Sequence, residues 1–145
     1  MKALLQRVTR AHVETGGEVV GRIGPGLVVL LGVEPDDTPD DVAWMAAKVL
    51  ALRVFPDDEK PMNRSVTDAA GEILVVSQFT LAADTRRGNR PGFSTAAPPA
   101  LAEDLYRAFV AELERRYPRV ATGRFGADMQ LALVNDGPVT FMLER

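Results

Sequence analysis

A chain of 145 residues with 46% hydrophobic and 26% charged side chains has the size and composition of one globular domain with an ordinary core. It has no cysteine and one histidine, His12, which excludes disulfide frameworks, thiolate nucleophiles, cysteine-bearing zinc sites and multi-histidine metal sites within one chain. The net charge of −3 argues against a global polyanion binder, but residues 1–41 carry four basic and seven acidic side chains, a balance of −3, whereas residues 84–124 carry eight arginines and five acids, a balance of +3, so a local basic face toward a phosphate backbone is compatible with the sequence.

Lys2 to Val13 mixes alternation with β-branched residues and reads as a first strand. Thr15-Gly16-Gly17 signals a turn, and Glu18 to Ile23 returns as a second strand of a hairpin. Gly24-Pro25-Gly26 breaks the chain again. Leu27 to Val33 is a continuous apolar run that suits a strand buried on both faces. Thr38 is a good N-cap, Pro39 fits the first helical position, and Val42, Met45, Val49 and Leu52 repeat at helical spacing, so a helix is expected over about 39–52. Arg53-Val54-Phe55 reads as a short strand and Ile73 to Phe79 as the strongest strand in the chain. Residues 82–99, with two glycines, three prolines and three arginines, form a loop of a length that is usually functional or disordered. A second helix runs from Pro98-Pro99 to about Tyr117 with Leu101, Leu105, Phe109 and Leu113 as its buried stripe. Val120 to Phe125 reads as a short strand. Met129 to Val134 and Val139 to Leu143 read as two more, separated by Asn135-Asp136-Gly137-Pro138. The class is α+β, with about seven strands and two main helices.

The longest apolar stretch, Leu27 to Val33, is far short of the roughly 20 residues of a spanning helix, and the segment before Arg7 is too short for a signal peptide, so a cytoplasmic protein is expected.

Three segments are able to carry chemistry. Ser77, Gln78 and Thr80 are polar residues at the end of the strongest strand, where buried polar groups need partners; either the strand emerges there and its hydroxyls cap the next loop, or backbone N–H groups turn outward to an anionic oxygen. Asn135 to Thr140 is a turn in which glycine permits close backbone approach and the Gly137-Pro138 bond is open to the cis form. Arg86, Arg87 and Arg90, with Asn89 and Phe93, suit phosphate, ribose and base contacts, or else form a solvated loop. His12 lies in the first strand, where a surface or pairing role is expected. Asp57-Asp58-Glu59 reads as a solvated loop rather than a metal site. No phosphate-cradling or dinucleotide fingerprint is present.

Together these segments resemble the D-aminoacyl-tRNA deacylase family, through QRVTRAHV, IGPGLVVLLGV, SQFTLAADTRRGNRPGF and TGRFGADMQLALVNDGPVT, over essentially the whole chain. Ala82 stands where the family often has an aromatic and Gly92 where it often has serine. The resemblance implies a compact β-barrel-like domain, a homodimer with active sites at the subunit interface, and hydrolysis of the ester joining a D-amino acid, or mischarged glycine, to the terminal adenosine of tRNA. It assigns catalysis to Ser77, Gln78, Phe79 and Thr80. Chiral selection falls to Gly137 and Pro138, as a Gly-cisPro element from the other subunit, with Asn135 and Thr140 of the same motif. Arg7 is implied as a brace of that turn, and Arg86, Arg87, Arg90, Phe93 and Met129 as tRNA contacts. No metal, cofactor, membrane or DNA is expected. The expected catalysis uses backbone N–H donors and the ribose 2′-hydroxyl. The alternatives are a non-catalytic nucleotide- or small-molecule-binding dimer, and a serine hydrolase in which Ser77 would depend on His12.

Overall fold

The computed structural model describes residues 1–145. Six strands and two helices follow in the order β1 (Lys2–Thr15), β2 (Glu18–Ile23), β3 (Gly26–Gly32), α1 (Pro39–Ala51), β4 (Glu72–Ser77), a short 3-10 turn (Phe79–Ala82), α2 (Pro99–Arg116), β5 (Val120–Thr122) and β6 (Gln130–Glu144). The expected α+β class holds, with six strands in place of about seven. Arg53 to Phe55 is no strand: Phe55 makes only an isolated bridge to Arg64. The two strands expected on either side of residues 135–138 are one, because β6 pairs with β1 both before and after the turn and bulges between. The fourth strand stops at Ser77, since the chain coils into the 3-10 turn from Phe79.

Strand order is β2-β1-β3-β4-β5, with β6 on the other edge of β1. β6 accompanies β1 from Lys2 to Glu14, so β3 (along Lys2 to Val8) and β2 (along Ala11 to Thr15) must share the opposite edge. The sheet curls until β2 meets β5, and Gly21 makes that closure possible: a Cβ there would lie 2.5 Å from the carbonyl oxygen of Thr122. The result is a nearly closed barrel.

The period of two explains the continuous apolar strands. Leu27, Val29 and Leu31 of β3 and Ile73 and Val75 of β4 face the helices, joining Met45 and Val49 of α1 and Leu105, Phe109 and Leu113 of α2. Val28, Leu74 and Val76 point the other way, into a smaller cluster with Val8, Ala11, Val13 and Ile23. Both faces are therefore buried, and no polar alternation survives. Asp41 closes the start of α1 by accepting from the backbone N–H and Oγ1 of Thr38 at 2.9 and 2.7 Å. No helix is long and apolar enough to cross a membrane.

Candidate active site

The parallel β3–β4 ladder carries Ser77 opposite Leu31, and the Gln78 N–H makes a last bond to the Leu31 carbonyl at 2.7 Å. Beyond it the backbone leaves the sheet. Leu81 donates to the carbonyl of Gln78 and Ala83 to that of Thr80, whereas the N–H groups of Phe79 and Thr80 meet no side-chain or turn acceptor. The first N–H groups of any helical turn lack a partner within it. Gln78 Nε2 donates to Thr80 Oγ1 at 2.5 Å, joining the two side chains across this turn. The Phe79 ring is 55% exposed and packs on Phe93 with centroids 5.0 Å apart.

Two cavities flank this strand end. One, of about 250 Å³, is apolar and lies between Leu31, Val33, Ala102, Tyr106 and Phe125, with Ser77 and Phe79 at its wall. The other, of about 320 Å³, is lined by Val76 to Phe79 and by Gly126 to Met129. Ser77 and Phe79 stand between them, and Met129 joins them from the segment before β6. Tyr106 and Phe125 were not expected here. Tyr106 lies one position past Leu105 in a helical stripe that reads as core, and only its hydroxyl hints at a further role.

That hydroxyl donates to the carbonyl of Val75 at 3.1 Å, an oxygen that also accepts from the N–H of Gly123 at 2.9 Å. Burial pushes the Tyr106 phenol up to about 12 from its ordinary 10.0. The neutral form is therefore favoured in the folded state. Its contribution to stability is complete below pH 10 and is lost as the pH climbs from 10 toward 12, by about 2 to 3 kcal/mol in all. Melting temperatures measured across this range are expected to fall, and the Tyr106→Phe variant is expected to show a shallower alkaline decline, since Val75 keeps its Gly123 donor.

The turn in β6 is held from below. Arg7, only 9% exposed, sends Nε to the carbonyl of Asp136 at 3.2 Å and to its carboxylate at 2.9 Å. Its Nη1 donates to the carbonyls of Val54 and Pro61 at 2.6 and 3.3 Å, so one guanidinium ties the turn to the loop after α1. The Gly137-Pro138 peptide is cis, and both residues are exposed. Asn135 Nδ2 donates to the carbonyls of Arg7 and Val139, and Thr140 Oγ1 accepts from Gln6 Nε2 at 3.2 Å. Within one chain, Gly137 and Pro138 line neither cavity beside Ser77. The same strand leaves Val134, Phe141 and Met142 exposed.

Asp84 and Gly92 exchange backbone hydrogen bonds at 2.8 and 2.9 Å, closing the arginine segment into a loop. Arg86, still largely exposed, pairs within it: its Nε and Nη2 each lie 2.9 Å from the Asp84 carboxylate. That hydrogen bonding holds the Asp84 carboxyl far below the usual carboxylate range and raises Arg86. Arg87 and Arg90 are exposed and form no salt bridge. His12 pairs with Glu14 at 3.2 Å and lines neither cavity beside Ser77, so a Ser77–His12 pair does not exist within the chain. Asp57 accepts from the N–H groups of Glu59 and Lys60, which shapes its loop.

Residues 4–144 match the family model described as D-Tyr-tRNA(Tyr) deacylase. A D-aminoacyl-tRNA deacylase of Pseudomonas aeruginosa (strain UCBPP-PA14) is 62% identical over 144 residues, covering 99% of each chain. One from Syntrophotalea carbinolica is 60% identical, over 99% of this chain and 97% of that one. A solved structure titled c-Myc DNA Unwinding Element Binding Protein superposes with a TM-score of 0.95 at 46% identity, over 100% of this chain and 99% of that one. Another, titled as a probable eukaryotic D-amino acid tRNA deacylase, shares the fold with a TM-score of 0.84 at 20% identity, over 98% of this chain and 97% of that one.

Proposed function

This chain belongs to the D-Tyr-tRNA(Tyr) deacylase family and is an enzyme that deacylates D-aminoacyl-tRNA, and from that premise we propose that the backbone at Phe79 and Thr80 supplies the catalysis. The observation that carries this is the strand end itself: two cavities meet at Ser77 and Phe79 with no histidine at either, Thr80 follows just outside both linings, and the N–H groups of Phe79 and Thr80 meet no turn acceptor.

The ester carbonyl sits against the N–H groups of Phe79 and Thr80. Water adds to the carbonyl carbon, negative charge grows on its oxygen, and the preformed dipoles meet that charge without reorganising. The bond to the ribose 3′-oxygen then breaks, and that oxygen takes a proton. The 2′-hydroxyl of the terminal adenosine positions the water and relays the proton, since no histidine lines either cavity to do so. The apolar cavity with Tyr106 and Phe125 suits a flat base. Fixing the ester beside its donors supplies much of the remaining rate.

Selection is by exclusion. Gly137 and Pro138 enter from a second copy of this chain, a homodimer arranged so that each site draws on both. Two observations support this: the turn is exposed and lies apart from the cavities of its own chain, and the unpaired edge of β6 carries exposed apolar side chains. The rigid main chain grips the α-amino group and fills the space an L side chain needs, so D residues of any size fit. Glycine has no side chain to exclude and is hydrolysed too. The enzyme works in the cytoplasm on aminoacyl-tRNA.

Incubation with D-tyrosyl-tRNA is expected to release tyrosine, with L-tyrosyl-tRNA spared. Binding of tRNA without release would leave a nucleotide-binding dimer instead. Reversing Arg87 and Arg90 to glutamate is expected to weaken tRNA binding about tenfold or more and to flatten its salt dependence. Arg86→Glu is expected to weaken binding at least as much as either of these changes alone, because it changes the charge by the same amount and leaves the Asp84 carboxylate unpaired. Duplex DNA is the competitor in the same titration and is expected not to displace tRNA.

A further inference from the structure

The β1–β6 ladder breaks at the turn. Gln6 pairs with Thr140 and the next pair is Val8 with Asn135, so residues 136–139 of β6 bulge out opposite Arg7 alone. Carbonyls beside such a bulge lose their ladder donors and need others. Asn135 provides them. Its Nδ2 donates to the carbonyl of Arg7 at 2.9 Å and to that of Val139 at 3.2 Å. A carboxamide nitrogen has two hydrogens, so both are used and neither is left for a ligand. Its Oδ1 lies 2.7 Å from where a Cβ on Gly137 would stand.

We propose that Asn135 is a positioning residue rather than a substrate contact: its carboxamide clamps the neck of the turn, joining Arg7 on β1 to Val139 on the far side, and so sets where Gly137 and Pro138 face the substrate. The effect on selectivity rests on the function proposed above; the clamp itself does not. One donor group spans the three residues 136–138, and the guanidinium of Arg7 holds Asp136 from the same position on β1. The turn is thus fixed at both its neck and its flank.

The variants Asn135→Ser, Asn135→Ala and Asn135→Asp separate this role from others. Serine offers one donor, alanine none, and aspartate keeps the volume but turns a carboxylate toward two carbonyl oxygens. Discrimination between D- and L-tyrosyl-tRNA in single-turnover assays is expected to fall by about fivefold per lost donor, with aspartate the worst, while KM for the D substrate stays within about twofold. If aspartate keeps wild-type discrimination, or if KM alone rises, the proposal is overturned. A lower KM for aspartate would mean that residue 135 meets the substrate ammonium. Hydrogen exchange at the N–H groups of Asp136, Gly137 and Val139 provides a readout free of catalysis. It is expected to quicken in the alanine and aspartate variants, and unchanged exchange would remove the clamp. If the wild-type protein hydrolyses no D-tyrosyl-tRNA yet exchange quickens, the function fails and the clamp stands.

Discussion

Gly137→Ala is expected to lower kcat/KM for D-tyrosyl-tRNA about tenfold or more, with the melting temperature shifted by only a few degrees. The new methyl would stand 2.7 Å from Asn135 Oδ1, closer than side-chain Cβ atoms come to a neighbour. Asn135 cannot swing aside freely, because its Nδ2 is committed to two carbonyls. Either the turn shifts or the clamp opens, and a displacement on the order of 1 Å at a positioning element is enough for such a loss. Single-turnover deacylation and a thermal melt check the two halves of this expectation. Coexpression tests the shared site. If each site draws on two copies as proposed, coexpressing a Gly137→Ala chain with a chain disabled at Phe79 and Thr80 gives heterodimers in which one site combines two intact motifs, so part of the activity is expected to return. Full activity in Gly137→Ala alone would place the turn outside the site.

Replacing the Thr80 amide by an ester linkage, which removes the N–H and keeps the side chain, is expected to slow deacylation by about 10² to 10³, corresponding to about 2.7–4 kcal/mol for one oxyanion donor. Thr80→Ala removes Oγ1, which accepts from Gln78, and the γ-methyl but keeps the backbone N–H, and is expected to stay within a few-fold of the parent. The contrast between these two variants is the measurement. A side-chain nucleophile predicts the reverse order, with the alanine variant inactive in single-turnover assays and the ester variant nearly intact. Ser77 cannot take that role with His12 within the chain, since His12 pairs with Glu14 and lies outside both cavities.

Much of the architecture was legible in local pattern. Period two in β1 and β2, the helical stripe of α2, and Thr38 with Pro39 at the start of α1 all lie where their spacing places them. The strand ends were less legible. Val54 is buried without belonging to a strand, because its carbonyl receives Arg7 instead of a ladder partner. The chain leaves the sheet after Ser77 although Phe79 is apolar, because the Gln78 N–H makes the last bond to β3.

The sequence by itself determined which faces are apolar, which segments turn, and that catalysis must do without cysteine and with at most one histidine; these follow from side-chain chemistry and from the short periods of helix and strand. Only the tertiary structure decided what those residues touch. It sets Tyr106 and Phe125 beside Ser77, pairs Arg86 with Asp84, and joins Asn135 to carbonyls 128 and 4 residues away along the chain. Such pairings depend on strand register and on where the barrel closes, and a local period carries no record of either.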